Sequence, residues 1–276
     1  MSLDTDRGLV KALMIGASSD IGHALCEDWI LKNWKVVGTY RTESEIIKQL
    51  RKRAMPLVQS DLESAKSVTD ACSKLIKIMP KWDVLVLGPG LQEPADLFHE
   101  CDFDEWEKSI KVNFTSQMRF LHGLLANRAP KSLFGPTVLF FAGGGTNSAP
   151  VNYSAYTVSK IALMKMVELL AAELPNVKFL IVGPGWVKTK IHQSILDAGE
   201  RAGVSYQRTL QMLKNGTFTP MENVVECCNA LISGPREILT GRNFSVAFDR
   251  WNDSQLVDLL EKNPDMYKLR RHGNNL

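Results

Sequence analysis

The sequence predicts an α/β fold, a single domain over residues 1–276 built as a doubly wound parallel sheet of about seven strands flanked by helices. Three observations predict it. Short apolar runs alternate with amphipathic stretches along most of the chain. The first run passes through a glycine- and serine-rich turn into a helical stretch, VKALMIGASSDIGHALCEDWILKNW. The 276 residues, 45% hydrophobic and 23% charged, are enough for one well-buried domain and too few for a large second one.

The elements follow in order. Strands are expected near residues 10–15, 35–40, 55–59, 82–88, 136–142, 177–183 and 243–248, with helical patterns between them. Residues 104–128 and 152–173 read as two long amphipathic helices. The stretch from Trp186 to about Pro220 breaks the alternation and reads as irregular. Its position puts it over the carboxyl ends of the strands, where open α/β sheets bind ligands, so residues 186–220 are expected to form a substrate lid.

The turn after the first strand carries Gly16, Ser18 and Ser19. Such a turn aims backbone N–H groups and the positive end of a helix at an anion, and glycine lets a pyrophosphate approach the backbone. The same pattern also fits an ordinary strand-to-helix turn, and Asp20 stands where a middle glycine would. After the second strand an NAD site normally offers an acid to the ribose, but this chain has Thr39, Tyr40 and Arg41. A guanidinium there suits a 2′-phosphate and stacks on adenine, which favours NADP(H) over NAD(H). Read instead as a surface residue, Arg41 would pair with Glu43 or Glu45.

Tyr156 and Lys160 lie four apart in AYTVSKIALMKMVELL and therefore share a helix face. A free tyrosine, with pKa about 10, is a poor proton donor and acceptor at neutral pH. A cation about 4 Å away, at an effective dielectric near 20, interacts by roughly 4 kcal/mol. Each pKa unit is about 1.4 kcal/mol, so Lys160 is expected to bring the phenol into working range.

In this order the motifs resemble those of the short-chain dehydrogenase/reductase family, single-domain type with a Rossmann fold, from about Leu9 to Trp251. The resemblance implies that IGASSDIG, with Gly16, Ser18, Ser19, Asp20, Ile21 and Gly22, is the glycine-rich cofactor loop, and that Arg41 selects NADP. It places Asp61 and Leu62 beside adenine, although Asp61 also suits the cap of a helix starting near Leu62. Gly88 and Gly90 fall in the turn after the fourth strand. Asn113, in EWEKSIKVNF, takes the position of the helix-kink asparagine that holds a water in a proton relay. Tyr156 and Lys160 match the catalytic acid and its partner, with Lys160 also on the cofactor ribose. Pro184, Gly185, Val187 and Thr189 in GPGWVKT lie beside the nicotinamide. The implied activity is interconversion of a carbonyl and a hydroxyl on a small molecule by hydride transfer, in a homodimer or homotetramer assembled through the two long helices.

Two departures accompany the resemblance. The family normally ends its fifth strand with a serine that bonds the substrate oxygen, whereas TVLFFAGGGT ends in Ala142 and Gly143 to Gly145. Loss of one donor at a developing oxyanion typically costs about 10²- to 10³-fold. Thr146, Ser148 or a backbone N–H of the glycine run remain as substitutes. The family's Asn-Asn-Ala-Gly turn is LGPG here, with a stiffening proline. Loss of the serine keeps open a second reading, a nucleotide-binding sensor with impaired catalysis.

Composition narrows the partners. A net charge of +3 with no basic tract between exposed aromatics argues against nucleic acid. No run approaches 18 apolar residues, and MSLDTDRG lacks the apolar core of a signal peptide, so no membrane insertion is expected. Cysteines 26, 72, 101, 227 and 228 have neither zinc spacing nor a disulfide framework, which fits a cytoplasmic protein with no bound metal. His192 is the one histidine near the expected pocket. Lys188, Lys190 and His192 at the lid entrance fit either an anionic substrate group or solvated charges.

Overall fold

In the computed structural model, residues 8–272 are described. The segment MSLDTDR and the last four residues of the basic tail KLRRHGNNL lie outside them. Seven parallel strands form one sheet in the order β3-β2-β1-β4-β5-β6-β7. Their bounds are Lys11–Ile15, Lys35–Tyr40, Leu57–Gln59, Val84–Leu87, Thr137–Phe141, Lys178–Gly183 and Arg242–Ser245 for β1 to β7. All seven expected strands are present; β3, β4, β5 and β7 are shorter than expected by two or three residues. The order reverses between β1 and β4, which pair in register from Ala12 with Val84 to Ile15 with Leu87. That switch point opens a crevice at the carboxyl ends of the strands.

Both faces of the sheet are covered, so the strands read as continuous apolar runs rather than alternating ones. One face packs on α1 (Asp20–Leu31), α2 (Glu45–Lys52), α9 (Met221–Ser233) and α11 (Leu256–Lys262), around Trp29, Leu25 and Leu231. The other packs on α3 (Ala65–Ile78), α5 (Ser116–Leu124) and α6 (Ser154–Glu173), around Phe120, Phe140 and Val167. Trp29 stacks on Trp34 at 4.9 Å and donates to Asn229 Oδ1 at 2.8 Å, tying α1 to α9. All five cysteines are free, and Cys26 is fully buried in α1.

Two elements depart from the sequence pattern. The helix expected over 104–128 is α4 (Phe103–Ile110), a π-turn at Lys111–Thr115, then α5 and a short 3₁₀ turn at Leu125–Asn127. Periodicity alone does not register the extra residue of a π-turn. The stretch expected to be irregular holds a 3₁₀ turn at Lys190–His192, α7 (Gln193–Ala198), a second 3₁₀ turn at Gly199–Ala202 and α8 (Val204–Asn215). Gly199 and Gly203, at φ +57° and +55°, interrupt it, so the helical period does not run through the segment. Among the described residues no helix is long and apolar enough to cross a membrane, and no three His, Cys, Asp or Glu side chains cluster to hold a metal.

Candidate active site

Residues from the ends of β1, β2, β4, β5 and β6 converge on one cavity of about 1500 Å³. The glycine turn forms one end. Gly16 has φ +88°, and a Cβ there would stand 3.0 Å from the Pro89 ring. Its N–H donates to Thr39 Oγ1 at 3.0 Å. Ser19 caps α1, accepting from Gly22 N at 3.0 Å and donating to Gly16 O at 2.9 Å. A Cβ on Gly22 would be 2.5 Å from Gly16 O, so only glycine lets the helix close onto the turn. The result is a cradle of backbone at a helix N-terminus, the geometry that holds a pyrophosphate. Ser18, Ser19, Asp20 and Ile21 line it, while Gly22 stays behind the turn.

Asp20 faces the segment after β6 instead of solvent. Its carboxylate accepts from Lys190 N at 2.7 Å, and Lys190 Nζ lies 3.8 Å away. Lys190 is thus engaged within the protein, and Lys188 Nζ sits 5.8 Å from the centre of the Phe218 ring.

Arg41, Asp61 and Leu62 line the same cavity beyond the turn. Arg41 is exposed and pairs with Glu63 at 3.8 Å. Glu43 and Glu45, its partners on the surface reading, are engaged by Arg51 and Lys48. Asp61 does not cap a helix at Leu62: α3 starts at Ala65 under Ser64, and Asp61 accepts from Glu63 N at 3.0 Å.

Gly88 and Gly90 bring the chain after β4 against the centre of the site. Gly88 N donates to Ile15 O at 3.0 Å, and a Cβ on Gly90 would be 3.8 Å from Lys160 Nζ. Asn113, fully buried in the π-turn, does not line the cavity. Its amide accepts from Leu91 N at 2.8 Å and donates to Leu91 O at 2.7 Å and Ser109 Oγ at 3.2 Å. The π-turn therefore clamps the backbone of Leu91, and Gln117 holds Pro89 O at 3.0 Å.

Tyr156 and Lys160 share the inner face of α6 and both line the cavity. Lys160 donates to Phe141 O at 3.0 Å, and its Nζ lies 5.8 Å from the Tyr156 ring centre. The expected lowering of the phenol pKa is not found. Burial pushes Tyr156 up to about 12, opposed by a hydrogen bond with Gln92, and burial pulls Lys160 down to about 8. The ammonium donates to a main-chain carbonyl and stands 5.8 Å from the centre of the phenol ring. Desolvation therefore outweighs attraction for both groups.

At Gly143 a Cβ would lie 2.5 Å from the Tyr156 hydroxyl. The space that a side chain would fill is occupied by the phenol. Thr146 and Ser148 line the cavity wall, and Thr146 Oγ1 is turned to Met164 Sδ at 3.5 Å.

Pro184, Gly185, Val187 and Thr189 line the far wall. Gly185, at φ +77°, packs against Thr219, where a Cβ would be 2.4 Å from Oγ1. Above them Trp186 stacks on His192 at 3.9 Å and on Phe218 at 5.4 Å. His192 Nε2 donates to Val187 O at 2.8 Å, and burial lowers its pKa, so the ring is neutral with a bare Nδ1. Residues 186–220 are pinned at further points. Arg201 pairs with Asp96 at 3.3 Å, Asn152 donates to Arg201 O at 2.6 Å, and Ile195 and Ala202 pack on Tyr153 and Ala95.

Sequence reasoning missed Thr39, Gln92, Tyr153 and the aromatic stack at Trp186. Thr39 and Trp186 lie inside stretches read for other residues, and Gln92 and Tyr153 acquire their places only when separate loops meet.

The chain is similar to known proteins along most of its length. A model of the short chain dehydrogenase family matches residues 11–199. The 3-oxoacyl-[acyl-carrier-protein] reductase of Buchnera aphidicola is 25% identical over 248 residues, which cover 85% of this chain and 94% of that protein. The NAD-dependent glycerol dehydrogenase of Listeria innocua is 24% identical, covering 85% and 91%. A structure of Pseudomonas aeruginosa RhlG with NADP superposes with a TM-score of 0.73 at 18% identity, covering 86% and 94%. With the match spanning the glycine turn, Asn113 and the Tyr156–Lys160 pair on a sheet of the same topology, this chain belongs to the short chain dehydrogenase family.

Proposed function

We propose that this chain is an NADP(H)-dependent oxidoreductase interconverting a carbonyl and a hydroxyl on a small molecule, with Tyr156 as the acid and base. The observation that carries the reading is the single cavity joining the cradle at Gly16, the guanidinium of Arg41 and the Tyr156 phenol backed by Lys160. The cradle fits a dinucleotide. Gly16 and Gly22 leave out side chains that would clash with Pro89 and with Gly16 O, which lets the turn close, and Ser18 offers a hydroxyl beside it. Arg41 would take the 2′-phosphate, Asp61 and Leu62 the adenine, Lys160 the ribose, and Pro184, Gly185, Val187 and Thr189 the nicotinamide. The bound nicotinamide supplies or accepts the hydride.

The remaining chemistry belongs to the chain. A phenol held near 12 is protonated at neutral pH, the form needed to protonate an alkoxide as it forms. Lys160, near 8, remains mostly charged at pH 7 and offsets the phenolate left behind. Asn113 fixes Leu91 and with it the loop that faces both groups. Residues 186–220 line the substrate end of the cavity and are held there by contacts with Asp20, Asp96 and Asn152. Relatives named as a reductase and a dehydrogenase support this class of activity.

The test is NADPH oxidation with a panel of ketones and aldehydes. Tyr156→Phe is expected to lower the rate by at least about 10²-fold while NADPH affinity barely changes. Tight NADPH binding with no Tyr156-dependent turnover on any carbonyl would favour the sensor reading.

A further inference from the structure

We propose that the substrate is an uncharged polyhydroxylated compound whose hydroxyl groups near the reacting carbon donate to His192 Nδ1 and Gln92 Oε1. This rests on the reading of the cavity as that of an oxidoreductase acting through Tyr156. The imidazole of His192 is fixed from two sides: it stacks on Trp186 at 3.9 Å, and its Nε2 is 2.8 Å from Val187 O. A carbonyl oxygen only accepts, so Nε2 carries the proton and Nδ1 is left as a bare acceptor. Gln92 Oε1 is an acceptor as well. Both atoms are buried, both residues line the cavity, and neither atom has a partner among the described residues. Acceptors in this state favour whatever brings them a donor.

Both acceptors belong to segments that meet beside the reacting groups. A Cβ on Gly90, two residues before Gln92, would be 3.6 Å from Ile191 Cδ1, next to His192, and 3.8 Å from Lys160 Nζ. Tyr156 packs against Tyr153, Ile195 and Ala202, where residues 186–220 meet the start of α6. Both acceptors are closed off from bulk water, so a donor reaches them only with what the cavity encloses. Trp186 and Phe218, 5.4 Å apart, give the same wall an apolar face for a carbon skeleton. The charges do not single out an anion. The carboxylates of Glu93 and Asp197 line this wall together with the guanidinium of Arg208, and Lys190 is held by Asp20. A neutral molecule rich in hydroxyl donors fits both the acceptors and the charge.

The experiment compares molecules with the same carbon skeleton, with and without hydroxyls, on the full chain. With NADPH, erythrulose is expected to be reduced with a kcat/KM at least about 10²-fold above that of butanone, since a site built to bond hydroxyls rejects an analogue that lacks them. His192→Phe keeps an aromatic ring beside Trp186 but removes the acceptor, and should shrink that preference at least about tenfold. His192→Asn, which puts an oxygen acceptor near the place of Nδ1, should keep more of it. Gln92→Leu reads the second acceptor in the same way, and NADPH affinity reports whether each variant is folded. A binding arm needs no turnover: with NADP+ present, saturation-transfer NMR should detect erythritol but not butanol, and the erythritol signal should weaken in His192→Phe. Equal rates for erythrulose and butanone would overturn the proposal, as would faster reduction of acetoacetate than of erythrulose, or an undiminished preference in folded His192→Phe and Gln92→Leu. If erythritol binds selectively but no carbonyl is reduced, the recognition of hydroxyls stands and the oxidoreductase reading fails.

Discussion

Arg41 stands at the end of β2 with a guanidinium where an acid would serve NAD, and its contact with Glu63 at 3.8 Å is loose and exposed. A 2′-phosphate offers a stronger partner than that carboxylate, because it carries close to two negative charges and can still accept two parallel N–H bonds. NADPH is therefore expected to bind at least about tenfold more tightly than NADH, a difference of about 1.4 kcal/mol. Arg41→Asp should abolish or reverse the preference, and titration of nucleotide fluorescence measures it; equal affinities in the unaltered protein would contradict the assignment. The placement of Arg41, Tyr156 and Lys160 on one cavity was legible in the sequence because each belongs to a local pattern. The electrostatics of the pair were not. Spacing places an ammonium near a phenol, but only the fold shows that Phe141 O accepts its hydrogen bond and that both groups are desolvated. Asp20 is a second case, since nothing near it in sequence reveals that its carboxylate holds the backbone of Lys190, 170 positions away.

Between elements, the least expected side chain is Lys178 in β6, which is fully buried. Its ammonium donates to Ile232 O and Gly234 O, both at 2.6 Å, and to Leu231 O at 3.2 Å, closing the carboxyl end of α9. Those carbonyls have no intrahelical partners, and the helix dipole favours a cation there. Lys178→Met leaves them buried without donors and should cost about 2 kcal/mol or more, lowering Tm by about 4 °C or more. The pH dependence has a definite sign. Burial draws the Lys178 pKa down to about 8 from an ordinary 10.5, so between those values the unfolded chain binds more protons than the folded one. The contribution of Lys178 to stability therefore rises with pH across that window, and the Tm deficit of Lys178→Met should be larger at pH 10 than at pH 8. Calorimetry at the two values checks this. The strands themselves were read to within a few residues because buried parallel strands are continuous apolar runs. The π-turn at Lys111–Thr115 and the helices after Trp186 were not, because one changes the helical period and the others are interrupted at Gly199 and Gly203.

At the scale of the whole molecule, the sheet order and the crevice at its switch point follow from the strand-helix alternation, which is why the fold was the most legible feature. What the sequence left open is how the chain covers its own cavity, since that depends on contacts from Asp20, Asp96 and Asn152 to one distant segment. Assembly is a separate expectation. The outer face of α6 leaves Val158 and Leu169 exposed at 53% and 45%, on one side of the helix with Lys165 between them. Pairing of such faces across a two-fold axis would form a homodimer or homotetramer. Sedimentation at micromolar concentration should then give a species well above the 30.8 kDa of one chain, and a single monomeric boundary would refute it.

The central claim is hydride transfer at the Tyr156 end of the cavity. Incubating the protein with NADPH carrying deuterium at the transferable position of the nicotinamide, together with an accepted carbonyl compound, tests it most directly. The account predicts one deuterium on the carbinol carbon of the product, with a single configuration, and about 10²-fold less labelled product per unit time from Tyr156→Phe. Product that carries no deuterium, or labelled product formed at the same rate without the phenol, would contradict it.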